Sequence, residues 1–154
     1  MTDGSIQVLD ICDVDRVDAL IVWLDTEGGR NRPWWWWWTR PGWRHVCAFV
    51  PAAGGFISLD SYHSYVDIRW WPIDLVQRAI EMATAAGWVH SQRSREVWRP
   101  RGPITCVTVT KALCGISAPC VWTPHALWKH LVEQDGRGDG WIWHSEKDPN
   151  GNSG

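Results

Sequence analysis

The chain has 154 residues, enough for one compact domain and too few for two ordinary cores. With 15 Lys+Arg against 17 Asp+Glu the net charge is −2, so there is no global basic field, and a general nucleic-acid coat is disfavoured. An apolar share of 45% beside 21% charged residues excludes disorder throughout, and 14 Gly with 9 Pro imply many turns.

Tryptophan is the anomaly: 15 Trp against 2 Tyr and 2 Phe supply nearly all the aromatic content. Five cysteines form no regular framework, which argues against a disulfide-stapled secreted domain, for a reducing compartment, and for at least one free thiol. Met1-Thr2-Asp3-Gly4 has neither a positive nor an apolar leader region, so no signal peptide is expected. The longest clean apolar run, Ala19 to Leu24, is far below the ~20 residues of a membrane-spanning helix, and no span is expected.

In chain order, Ile6 to Cys12 alternate loosely and predict a short strand. Val14, Val17, Leu20, Ile21 and Leu24 recur at helical spacing and predict an amphipathic helix over 13–25. Glu27-Gly28-Gly29-Arg30-Asn31-Arg32-Pro33 breaks that pattern as a loop. Trp34-Trp35-Trp36-Trp37-Trp38 follows, apolar on every side and bracketed by Arg30, Arg32, Arg40 and Arg44, with no period to assign a structure.

His45 to Val50 and Phe56 to Ser61 flank Pro51-Ala52-Ala53-Gly54-Gly55 and predict a hairpin; Tyr65 to Trp71 alternates as a third strand ended by Pro72. Leu75, Val76, Ala79, Ile80, Ala83 and Ala86 predict a helix over 73–86 with Gly87 as its stop, then a strand over 88–94. Arg99 to Pro103 connects to residues 105–115, where Val109, Ala112, Leu113 and Ile116 share a helical face, although Ile104, Val107 and Val109 alternating with threonines also fit a strand. Thr123-Pro124 starts a helix over 124–133, with Leu127, Trp128 and Leu131 inward. The organisation expected is an α+β domain over 1–134, a small antiparallel sheet packed against helices. A flexible or partner-docked tail over 135–154 carries Trp141 and Trp143.

The most chemical feature is Cys106, behind Pro103 and a Thr105 N-cap, in what would be the first turn of a helix. A thiol there faces unpaired backbone N–H groups and the positive end of the helix dipole, which favours the nucleophilic thiolate. A thiol nucleophile needs an imidazole to manage its proton, and the imidazole needs an orienting acceptor. His45 starts the first hairpin strand and Asp60 ends the second, so folding about Ala53 sets them opposite or nearly so, about 5 Å apart at Cβ if they share a face. The bland alternative is a buried structural Cys106 and a His45 that hydrogen-bonds locally.

The order His45-Val46-Cys47-Ala48-Phe49-Val50, Phe56-Ile57-Ser58-Leu59-Asp60, then Ile104-Thr105-Cys106-Val107 through Lys111-Ala112-Leu113-Cys114-Gly115-Ile116 resembles the circularly permuted papain-like thiol hydrolases, including the lecithin:retinol acyltransferase-like group. The stretch from Thr105 through Thr123-Pro124 to Leu131 also looks like small proteins encoded in phages and prophages. The resemblance implies a papain-like permuted architecture, Cys106 as nucleophile, His45 as general base and Asp60 as the group orienting it. In these families the third polar residue is often His, and His63 lies just beyond Asp60. The implied chemistry is attack on an amide or ester carbonyl through an acyl-thioester, with peptidoglycan as the expected amide source, and no cofactor. The implied location is the bacterial cytoplasm during synthesis, with incorporation into a phage particle as a further expectation.

The Trp34–Trp38 run fits sugar stacking, a lipid headgroup boundary or a subunit interface, and with its arginines a single-stranded nucleic acid. Net charge disfavours the last, and burial against other virion or assembly subunits is the expectation, with Trp141 and Trp143 as further contacts. The alternative function is therefore a non-catalytic structural protein of a phage neck, tail or capsid. His45 and Cys47 share a strand face, but no paired-Cys or paired-His spacing completes a tetrahedral metal set, so no metal is expected. Cys114 and Cys120 are expected in the core, and His125 and His130 on the outer face of the last helix. Arg137-Gly138-Asp139 is assigned nothing.

Overall fold

A computed structural model describes residues 17–25, 34–62, 65–91, 103–135 and 142–144. The strand predicted over 6–12 lies outside them. Among the described residues six strands form one sheet: β1 (Val17–Leu24), β2 (His45–Ala52), β3 (Gly55–Tyr62), β4 (Tyr65–Pro72), β5 (Ala85–Ser91) and β6 (Ile142–His144). Their order is β4-β3-β2-β1-β5-β6, and every neighbouring pair is antiparallel. Helices α1 (Ile73–Met82), α2 (Cys106–Cys114) and α3 (Pro124–Asp135) complete an α+β fold, and Trp34–Trp38 forms a short 3-10 helix.

The helix expected over 13–25 is wrong for the described part: Val17–Leu24 is a strand near the middle of the sheet, between β2 and β5. The helical spacing of Leu20, Ile21 and Leu24 misled because a central strand is apolar on both faces and shows no alternation. Ala19 through Trp23 are all at most 2% exposed. Leu20 and Val22 pack with Cys47, Phe49, Phe56, Val76 of α1 and Ala86. Ile21 and Trp23 enter the opposite cluster with Val46, Ala48, Val107 of α2, and Leu127 and Leu131 of α3. The sheet is thus sandwiched, α1 on one face and α2 with α3 on the other. Burial of each such aliphatic side chain contributes on the order of 1.5–3 kcal/mol.

Three boundaries also move. α1 stops at Met82, and Gly87, expected as its stop, sits inside β5 opposite Ile21. The strand expected over 88–94 accordingly runs earlier, Ala85–Ser91. Part of the supposed tail, Ile142–His144, pairs with Ala86–Trp88 and so belongs to the sheet. The helix alternative holds for 105–115, as α2 is helical and closes on Gly115 with φ +66°, the left-handed geometry that glycine adopts without strain. The β2–β3 hairpin turns through Ala53-Gly54, with Gly54 at φ +72°. No described helix is long and apolar enough to cross a membrane.

Candidate active site

The thiol is positioned by the start of α2. Thr105 is extended (φ −128°, ψ 166°) and caps the helix: its Oγ1 accepts from Thr108 N at 3.2 Å, and Thr108 Oγ1 accepts from Thr105 N at 2.7 Å. This reciprocal box fixes both the entry angle of the chain and the first turn. Cys106 follows as the first helical residue, half-buried, and α2 packs chiefly on β2 and β3. Thr105 was legible as a cap; the returning Thr108 was not, because Glu or Gln is the usual residue there.

The imidazole is positioned by the hairpin. Cα pairing of β2 with β3 runs from Ala52 opposite Gly55 to Ala48 opposite Leu59, so His45 and Asp60 lie just past its last rung. They are not directly opposed, but His45 Nε2 and Asp60 Oδ2 are 3.1 Å apart, and both side chains are 18% exposed. Cys106 lies close enough to the same ring to help raise its pKa. With Nε2 committed to Asp60, Nδ1 is the ring nitrogen not engaged by that carboxylate. Burial works against a charged ring, but the hydrogen bond to Asp60, the neighbouring Cys106 and the charge interactions with both outweigh it, and the His45 pKa is pushed from 6.5 up to about 10. The upward shift favours the imidazolium form of His45.

Asp60 Oδ1 is buried with no hydrogen-bond partner. An orphaned carboxylate oxygen is expensive in a pure scaffold and is tolerated where a site keeps charge for chemistry. Arg44, immediately before His45, bonds Asp25 through Nη1 at 3.1 and 3.3 Å and lies over the Trp36 ring at 3.7 Å, which fixes the strand entry.

Among the described residues the other thiols divide sharply. Burial raises Cys114 to about 12 and pushes Cys47 well above the ordinary thiol range, so both stay protonated. Cys120, expected in the core, is exposed, because it follows α2 in a surface turn. His125, expected on an outer face, meets Trp43 edge-on at 5.3 Å and stacks on Trp128 at 5.9 Å. His130 is half-buried and bonds Gln134 at 3.0 Å.

The tryptophan run splits by position. Trp36 is 5% exposed within its own chain, whereas Trp37 and Trp38 are 76% and 78% exposed. Trp34 and Trp35 belong to the same 3-10 helix. Trp143 pairs with Gly87 through its backbone, and Trp141 and His63 lie outside the described residues. Sequence reasoning missed Lys111, 2% exposed, whose Nζ donates to the carbonyls of Ala118 and Val121, both at 2.8 Å. No local signal marks it, since a lysine on a helix ordinarily reads as solvated.

Among the described residues, no group of three or more His, Cys, Asp or Glu gathers as a metal site. Compared with known proteins, the chain matches no family model, no curated protein and no solved structure.

Proposed function

We propose that the protein is a thiol hydrolase acting on an amide or ester by acyl transfer through Cys106. The observation that carries this is the cluster Cys106–His45–Asp60, a helix-tip sulfur beside an imidazole whose pKa it helps to raise and which is itself hydrogen-bonded to a half-buried carboxylate. An imidazolium favours a thiolate beside it. The sulfur adds to the substrate carbonyl carbon, and the oxyanion forms near the unpaired N–H groups that open α2. His45 then gives its Nδ1 proton to the leaving amine or alcohol, and the acyl-thioester remains on Cys106. Water, deprotonated by His45, attacks the thioester; the acid leaves and the thiolate–imidazolium pair is restored. The likeness to permuted papain-like and phage-encoded proteins makes a peptidoglycan amide the substrate to test first.

Limited labelling with iodoacetamide, read by peptide mass spectrometry, is the direct test. Cys106 labels at least about tenfold faster than exposed Cys120, and Cys106→Ala abolishes cleavage of a peptidoglycan-derived amide. Labelling of Cys106 no faster than Cys120 overturns the proposal.

A second reading, a structural subunit of a phage particle, is favoured by the exposure of the adjacent Trp37 and Trp38. Alanine at both positions leaves the fold intact, since neither is buried, and blocks assembly into particles; normal incorporation of that variant removes the reading.

A further inference from the structure

We propose that β4 is a self-pairing edge: two copies of this chain join β4 to β4 in antiparallel register about a two-fold axis at Ile68, continuing one sheet across both. β4 ends the strand order, and among the described residues no strand pairs with its outer edge.

The backbone parity of that edge follows from the β2–β3 hairpin. A two-residue turn between Ala52 and Gly55 makes them a hydrogen-bonded pair, so Ile57 and Leu59 bond back to β2. Phe56, Ser58 and Asp60 are left to bond β4 through Trp71, Arg69 and Asp67. The N–H and C=O groups of Val66, Ile68 and Trp70 therefore point out from the free edge. Pro72 has the same parity, so its missing N–H falls on the open side and takes nothing from the β3 ladder.

The side chains on this stretch are self-complementary. Val66, Ile68 and Trp70 are 40%, 66% and 56% exposed, and they share a sheet face with Ile57, opposite Trp70 and 37% exposed. That is a contiguous apolar strip on an unprotected edge, where a charge or a bulge would ordinarily stand. On the other face Asp67 and Arg69 form an ion pair within the strand. Antiparallel pairing centred on Ile68 sets Ile68 against the second copy's Ile68, Val66 against Trp70, and Asp67 against Arg69. Both charged pairs are then opposite in sign, which is the arrangement that selects this register over a slipped one. A second copy is thus the occupant the edge specifies, and the inference stands apart from the thiol chemistry.

The test is sedimentation of the full chain over roughly 1–100 μM, a range that brackets modest self-association. The unmodified chain forms dimers. Asp67→Arg alone and Arg69→Asp alone each set like charges across the axis and weaken the dimer about tenfold or more, while an equimolar mixture of the two variants associates as a heterodimer. Ile68→Lys, at an exposed position, is monomeric with an unchanged circular dichroism spectrum. As a check free of substitution, amide exchange at Val66, Ile68 and Trp70 slows with rising concentration, while Asp67 and Arg69 amides, bonded to β3, do not change. A monomeric unmodified chain, association indifferent to Ile68→Lys, or a mixture that stays monomeric overturns the proposal.

Discussion

His45 Nε2 and Asp60 Oδ2 meet at 3.1 Å just beyond the last paired rung of the β2–β3 hairpin, a hydrogen bond between two strands where ladder pairing has stopped. The carboxylate holds one ring nitrogen, which fixes the ring beside Cys106, and its charge stabilises the imidazolium. Asp60→Asn keeps the shape and removes the charge. The His45 pKa is then expected to fall from about 10 back toward 6.5, followed by the imidazole proton shifts in an NMR titration. Turnover falls by about 10²–10⁴-fold, the usual scale for losing a correctly set acid–base group. An unchanged titration in Asp60→Asn removes Asp60 from the relay.

Stability carries the same signature. The folded pKa of His45 is raised above its unfolded value, so protonation favours the native state; that contribution is complete below pH 6.5 and disappears as the pH rises through about 10. Urea unfolding of the native chain is expected to show a loss of stability between pH 6.5 and 10 that His45→Gln lacks. Parallel pH profiles for the two proteins would contradict the raised value.

Where local chemistry dictates local structure, the sequence was readable. Pro51 through Gly55 announces a reversal, and Thr105 behind Pro103 announces a helix start, so His45, Asp60 and Cys106 each stood on an identifiable element. What it could not express is burial conferred from elsewhere. Val17–Leu24 reads as a helix because it is apolar on both faces, one covered by Val76 of α1 and the other by Val107, Leu127 and Leu131 of α2 and α3. Trp36 is buried with Arg44 over its ring, and nothing within a run of identical residues distinguishes it from Trp37 and Trp38. Lys111 is enclosed only once the loop after Gly115 folds back over it.

Thr105 ties the helix cap to the candidate chemistry. Thr105→Ala removes the acceptor for Thr108 N, which costs about 1 kcal/mol, seen as a lower urea midpoint with an unchanged slope. Because Cys106 is the next residue, loosening this turn also moves the sulfur relative to His45, and iodoacetamide labelling of Cys106 slows. Thr105→Ser retains the hydroxyl and restores both. A Thr105→Ala protein with full stability and unaltered labelling would show that the cap does not position the thiol.

Lys111 gives the sharpest stability prediction. Its ammonium is buried by the loop it organises, and burial lowers its pKa, yet it donates at 2.8 Å to the carbonyl of Val121 and to that of Ala118, which also accepts from Val121 N at 3.2 Å. Trp122 lies 5.4 Å from Nζ and adds a cation–π contact. Lys111→Met preserves the stem and the packing and leaves the carbonyls of Ala118 and Val121 without this donor, the former still bonded by Val121 N, a loss of about 1–3 kcal/mol. The damage concentrates in the loop over 116–123, read as faster amide exchange there than in β1, whose core residues are covered on both faces. Since the loop leads into Thr123 and α3, whose Leu127 and Leu131 are fully buried, the same variant loosens α3 against the sheet. Wild-type stability in Lys111→Met would mean that the two carbonyls find other donors and that the lysine does not organise the loop.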